Sequence, residues 1–245
     1  MLVARIDDLL VQAVKSIGPK PADDAPQSEK NPWVGRLSNV IALALAEELR
    51  QRGMREARPA GPGDLGLSGA ERRLSGGIGA KRVDVTWATE ESGLILACSV
   101  KTIMFRDRVS QAFQKNLVNR RGDLLIEAVT LHRRFPYAVL TGFLFLDAQA
   151  AHDHTPRRKS TFANAFPRLR LFTGRPDPAG REEQFEHLYL LLVDANPFQP
   201  VITCYEVSDP DTPVDLEAAF DSIVELVAER NFDLYEATDG VIRAI

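Results

Sequence analysis

RVDVTWAT (residues 82–89) and LILACSVKTI (94–103) are two β-rich runs flanking Glu90-Glu91-Ser92-Gly93, and their reading decides the fold. Their β-branched and aromatic residues suit a pleated, half-buried surface, and the glycine suits the end of a turn. Successive side chains on a strand point to opposite faces. On the second run Ile95, Ala97, Ser99 and Lys101 therefore share one face, and Leu94, Leu96, Cys98 and Val100 the other. On the first run Arg82, Asp84 and Thr86 lie together. A turn that pairs Glu90 with Gly93 sets Asp84 opposite Ser99 and Arg82 opposite Lys101. A carboxylate and an amine then meet on one face of an apolar hairpin. Unpaired buried charge is costly, so they need a partner or a task.

Working outward, helical spacing of apolar residues predicts helices over 3–16 and 37–52, the second ended by Gly53. Residues 17–35 lack periodicity and read as a surface arm, so a domain boundary is expected between 35 and 36. Residues 57–80 are rich in Pro and Gly and read as a long loop. Beyond the hairpin, 107–134 reads as a helix interrupted at Gly122. Tyr137–Leu146 follows as a buried strand, and 148–180 as an irregular stretch with a short helix near 161–170. Strands over 188–195 and 201–207 precede a final helix at 214–230. This order predicts an α/β fold, a mixed sheet with helices on its faces.

No apolar run approaches the roughly 20 residues that span a bilayer, and MLVARIDDLL carries acids where a secretion signal would be apolar. A cytoplasmic protein is expected, with Cys98 and Cys204 as buried thiols. Residues 176–245 hold 16 Asp and Glu against 3 Arg, leaving 27 basic and 18 acidic residues in 1–175. A basic body with an acidic end is compatible with a polyanionic partner, and equally with a solvated acidic helix.

Asp84, followed after about a dozen residues by Ser99-Val100-Lys101 at a strand end, resembles the PD-(D/E)xK nuclease superfamily. The resemblance spans roughly residues 36–147. It implies a restriction-endonuclease-like core of order αβββαβ, with 148–245 as a C-terminal strand-strand-helix extension. Val83 stands where the family has Pro, and Ser99 where it has an acid. Some restriction enzymes of the superfamily carry Ser-Val-Lys here and recruit a carboxylate from elsewhere. The resemblance implies a metal-dependent endonuclease that cuts DNA with Mg²⁺ (Mn²⁺ as a substitute), in restriction or antiphage defence. Asp84, the Val100 carbonyl and a second acid would hold the ion, Lys101 would stabilise developing charge, and Ser99 would assist.

Glu48 is the expected second acid. It falls in the middle of the apolar stripe of Leu37, Ile41, Ala44 and Leu45, and a core-facing glutamate needs a partner or a role. It matches, by role, the metal-associated Glu that the first helix often supplies in this superfamily. Glu71 and Glu127 are the reserves. Arg106, Arg108, Lys115, Arg120 and Arg121 suit phosphate contacts. A second basic stretch runs from Arg157 to Arg175. Gly76-Gly77-Ile78-Gly79-Ala80-Lys81 lacks the phosphate-loop spacing. Cutting both strands would suit a homodimer. Two other readings stand beside the nuclease: an inactive DNA-binding or assembly module, and a protein-interaction module using the acidic end.

Overall fold

The computed structural model describes residues 5–60, 72–75 and 80–245. It is an α/β protein built on a six-stranded mixed sheet flanked by helices. The elements are α1 (Ile6–Ser16), α2 (Gln27–Gln51), β1 (Arg72–Ser75), β2 (Ala80–Val83), β3 (Val85–Thr89), β4 (Gly93–Ile103), α3 (Gln114–His132) and β5 (Val139–Asp147). Then follow α4 (Thr161–Leu169), β6 (His187–Asp194), β7 (Val201–Glu206), β8 (Asp209–Val214), α5 (Leu216–Arg230), β9 (Tyr235–Thr238) and β10 (Val241–Ala244). The sheet order is β3-β4-β5-β6-β7-β8, parallel across β4-β5-β6 and antiparallel at both margins. Among the described residues no helix is long and apolar enough to cross a membrane.

The sheet separates two apolar cores. On one face α1, α2 and α5 meet Val85, Leu96, Cys98, Val100, Phe143 and Tyr189. On the other, α3 and α4 meet Ala97, Ile103, Leu140, Leu144 and Leu188. β5 is buried along its whole length, as a central parallel strand must be. Cys98 and Cys204 are free and buried, as expected.

The hairpin keeps the expected register over Val85–Trp87, but Asp84 lies in a bend outside the ladder, and Arg82 pairs with Arg73 of β1 rather than with Lys101. Val85, Thr86 and Trp87 pair with Cys98, Ala97 and Leu96. The turn itself pairs Thr89 with Gly93, and a β-bulge between Trp87 and Ala88 absorbs the difference by leaving Ile95 unpaired. The bulge corrects the expected faces. Leu94 packs with Ala97 on the α3 side, and Ile95 packs with Leu96 on the α2 side.

The N-terminal segment is part of the core rather than an arm. α2 begins at Gln27, so the boundary expected at 35/36 falls inside a helix. Ile6, Leu10 and Leu37 are fully buried together, each contributing about 1.5–3 kcal/mol of burial. The linking segment is tied down by Lys20 on Asp147 (2.7 Å) and by the Lys30 ammonium on the Asp23 carbonyl (2.9 Å). α3 runs unbroken through Gly122.

The C-terminal hairpin β9–β10 turns on Asp239 and Gly240, at φ +51° and +69°. That is the left-handed pair demanded by a type I′ turn. A methyl group on Gly240 would also collide with Asp221 Oδ1 and Arg52 Nη1. Gly240→Ala is therefore expected to cost about 1–2 kcal/mol from backbone strain alone and more from the displaced ion pair. A thermal melt within a degree of wild type would show that the turn relaxes freely.

Candidate active site

β2 and β3 form one strand broken by a bend at Asp84. Beyond the break β2 pairs with β1, while β3 pairs with β4. The ladder alongside β4 therefore stops at Cys98, and the next backbone donor toward that edge needs another acceptor. Asp84 supplies it: the Val100 N–H donates to Asp84 Oδ2 at 2.7 Å. In an antiparallel ladder a residue's N–H and C=O face the same neighbour, so the Val100 carbonyl opens toward the same gap.

Ser99 and Lys101 share the β4 face that looks onto α3. The Lys101 ammonium donates to Ser99 Oγ at 2.6 Å, to Glu127 Oε2 at 3.1 Å and to Asp84 Oδ2 at 3.5 Å. Glu127 projects from α3, with a side chain only 2 % exposed, against 13 % for Lys101 and 28 % for Asp84. Access thus comes from the Asp84 side. Burial alone would push the Lys101 ammonium down. The charges of Glu127 and Asp84, with their hydrogen bonds, outweigh it and raise the pKa. Lys101 is therefore a fixed cation and donor, not a base that could activate the Ser99 hydroxyl.

The second acid at this point is Glu127, not Glu48. Glu48 lies on α2, whose buried side chains pack on the opposite face of the sheet. Its carboxylate accepts from Arg52 Nε at 2.5 Å, and Arg52 also holds Glu217 Oε2 (2.9 Å), Asp221 Oδ1 (2.5 Å) and the Gly240 carbonyl (3.1 Å). Burial raises the Glu48 pKa; Arg52 offsets this in part, while Glu217 and Asp221 add to it. The apolar stripe identified Glu48 correctly as core-facing, but its role is to anchor α5 and the β9–β10 hairpin. Glu127 carried the same signal, since it lies in the buried stripe of Leu117, Leu124, Ala128 and Leu131. Glu71 lies outside the described residues, as do the glycines at 76, 77 and 79.

Two carboxylates, a hydroxyl and a backbone carbonyl are hard oxygen donors, and Mg²⁺ is typically held by one or two carboxylates while keeping several waters. The residues present fit such an ion. Among the described residues no three His, Cys, Asp or Glu side chains gather to hold a metal. Any ion here would rely on two acids and neutral oxygens.

Of the expected phosphate contacts, Arg106, Arg108 and Arg120 line one crevice, whereas Lys115 and Arg121 lie outside its lining. Lys115 instead pairs with Asp107 at 3.0 Å. In the second basic stretch Arg175 is no surface contact: it is buried and bonds Glu186 at 3.1 Å. His132 is buried, with its ring nitrogens on the Glu182 carbonyl and Glu186 Oε2. His152 and His154 are exposed loop residues. Comparison with protein-family models, curated proteins and solved structures gives no match for this chain.

Proposed function

We propose that the protein is a metal-dependent endonuclease that hydrolyses DNA phosphodiester bonds, with Asp84, Ser99, Lys101 and Glu127 as its working residues. The observation that carries this reading is the convergence of two carboxylates from different elements, Asp84 and Glu127, on one partly buried ammonium. The element order supports it. With β2 and β3 counted as one broken strand, α2, β1, β2/β3, β4, α3 and β5 follow the αβββαβ order of restriction-endonuclease-like cores.

Asp84 and Glu127 would hold a divalent cation together with the Val100 carbonyl and, directly or through water, Ser99. When bound, such an ion polarises a phosphoryl oxygen and supplies a water of lowered pKa. The chain's own residues do the rest. Lys101, kept charged by its two acids, positions a water or a phosphate oxygen and stabilises negative charge as it develops. Ser99, 1 % exposed, holds the ammonium on the Asp84 side through its hydroxyl. Asp84, the most exposed of the charged trio, meets the substrate side first.

The test is plasmid nicking with Mg²⁺ or Mn²⁺, comparing wild type with Asp84→Asn and Lys101→Ala. Cleavage by wild type and a loss of about 10²-fold or more in each variant is expected. A wild-type chain that binds DNA in a salt-dependent way without cutting would move the assignment to an inactive DNA-binding module.

A further inference from the structure

Ligands of open α/β sheets collect in crevices beyond the carboxyl ends of parallel strands. Such a crevice lies beyond β4, with a volume of about 400 Å³, within the usual range of small-ligand sites. It runs between the N-terminal turns of α2 and α3, which belong to opposite faces of the sheet, and is lined by Gln27 and Asn31 from one and Asn116 and Arg120 from the other. Arg106 and Arg108 close it from the segment after β4. Three guanidiniums thus face one lining acid, Asp107. Its carboxylate is already engaged by the Val109 and Ser110 N–H groups, the Ser110 hydroxyl and Lys115.

The guanidiniums are held to different degrees. Arg106 is oriented by Gln149 Oε1 (2.8 Å) and the Gln111 carbonyl (3.2 Å) and pairs with Asp23 at 3.6 Å from outside the crevice. Arg120 shares a surface pair with Asp123 at 3.0 Å, a contact worth little in water. Arg108 is exposed and, among the described residues, forms no salt bridge, although it shares a neighbouring crevice with Asp23 and Asp24. Planar guanidiniums recognise phosphate with paired donors, and helix N-termini favour the same charge. The remaining lining combines Val34, Thr102, Ile103, Met104 and Phe105 with the three carboxamides, and carboxamides are the chemistry that reads a purine edge, as Asn and Gln do with adenine.

We infer that this crevice binds one nucleotide, its phosphate among Arg106, Arg108 and Arg120 and its base edge at Gln27, Asn31 and Asn116. Binding is independent of metal. That the nucleotide belongs to a substrate strand rests on the nuclease reading, while the site itself does not. The shared chemistry is a nucleoside phosphomonoester, from a strand end or a free nucleotide.

The experiment titrates the full chain, in chelator, with adenosine 5′-monophosphate, adenosine, inorganic phosphate and a short 5′-phosphorylated oligodeoxyadenylate. The monophosphate is expected to bind more tightly than adenosine or phosphate. Arg108→Ala with Arg120→Ala should weaken it roughly tenfold or more at an unchanged melting temperature. Asn116→Ala should weaken the monophosphate and leave inorganic phosphate unaffected. A tighter oligonucleotide identifies a strand end as the natural ligand, and a tighter monophosphate a free nucleotide; both support the site. Equal binding of phosphate and monophosphate, or no effect of the paired arginine variant, overturns it. Asp84→Asn should bind like wild type. Binding without cleavage by wild type sinks the nuclease alone, and cleavage without nucleotide binding sinks the crevice alone.

Discussion

Glu127→Gln is expected to cut plasmid DNA about 10²-fold or more slowly than wild type, while Glu48→Gln keeps the wild-type rate per folded molecule. Both changes remove one buried carboxylate charge and keep the side chain's shape. They differ in where that charge sits. Glu127 reaches Lys101 at 3.1 Å on the α3 side, and Glu48 is bound to Arg52 on the α2 side. The Glu127 substitution removes one of two acids available to a cation. It also removes the first of the two charges that hold the Lys101 proton. Because that pKa is raised, the stabilisation Lys101 draws from its acids is fully present below its unfolded value of 10.5. It is lost only as pH climbs through the folded value. Wild type should therefore show an extra loss of stability above that pH, and Glu127→Gln should show less of it. Equal cleavage by Glu127→Gln and wild type would remove α3 from the site.

The largest effect on stability is expected at Glu186. Its side chain is fully buried, with Arg230 Nη1 at 2.5 Å and Arg175 Nη1 at 3.1 Å on one oxygen, and the Leu140 N–H at 2.7 Å and His132 at 3.3 Å on the other. This one carboxylate, carried by the segment just before β6, joins that segment to β5, α3 and α5. Removing one partner of a buried pair strands the others, and here two guanidiniums are left inside. Glu186→Ala should cost about 3–5 kcal/mol and lower the melting temperature by roughly 6–20 °C. The pH dependence has a definite sign. Burial would raise the Glu186 pKa, but the His132 hydrogen bond, the positive neighbours and the Leu140 N–H together lower it below 4.5. Its stabilisation is then present above 4.5 and lost as pH falls through the folded value. Wild type and Glu186→Gln should differ most near neutrality and converge in acid. A constant difference down to about pH 3 would assign the effect to packing rather than charge.

The strand part of the candidate site was legible because a period of two is a local property. Once 94–103 is a strand, Ser99 and Lys101 must share a face, and three register pairs suffice to bring Asp84 beside them. The second acid was not legible, because helix spacing says that Glu48 and Glu127 face a core without saying which core. The sheet has two, and the choice depends on how helices far apart in sequence cross it. β8 was missed because Pro210 and Pro213 argue against a strand. Its place at the sheet margin, where Pro is tolerated, explains the exception. The Asp239-Gly240 turn was a readable hairpin signal in a segment too short to show alternation. The start of α2 was hidden by Pro26 and Pro32. The charge asymmetry had a partly internal cause: acids of the C-terminal section neutralise basic residues of the body, as Glu186 does Arg175, and Glu217 and Asp221 do Arg52.

The unpaired Ile95 makes this hairpin unequal in its tolerance of changed length. Losing that residue would sacrifice one buried side chain, yet it would leave a regular ladder with Ser99 and Lys101 still turned toward α3. Losing Val100, in contrast, would put Ser99 and Lys101 on opposite faces and turn one of them away from Glu127. Chains descended from a common ancestor could therefore shorten at Ile95 and keep the same chemistry. An alignment that slides its gap a few positions along the strand would wrongly score them as having lost it.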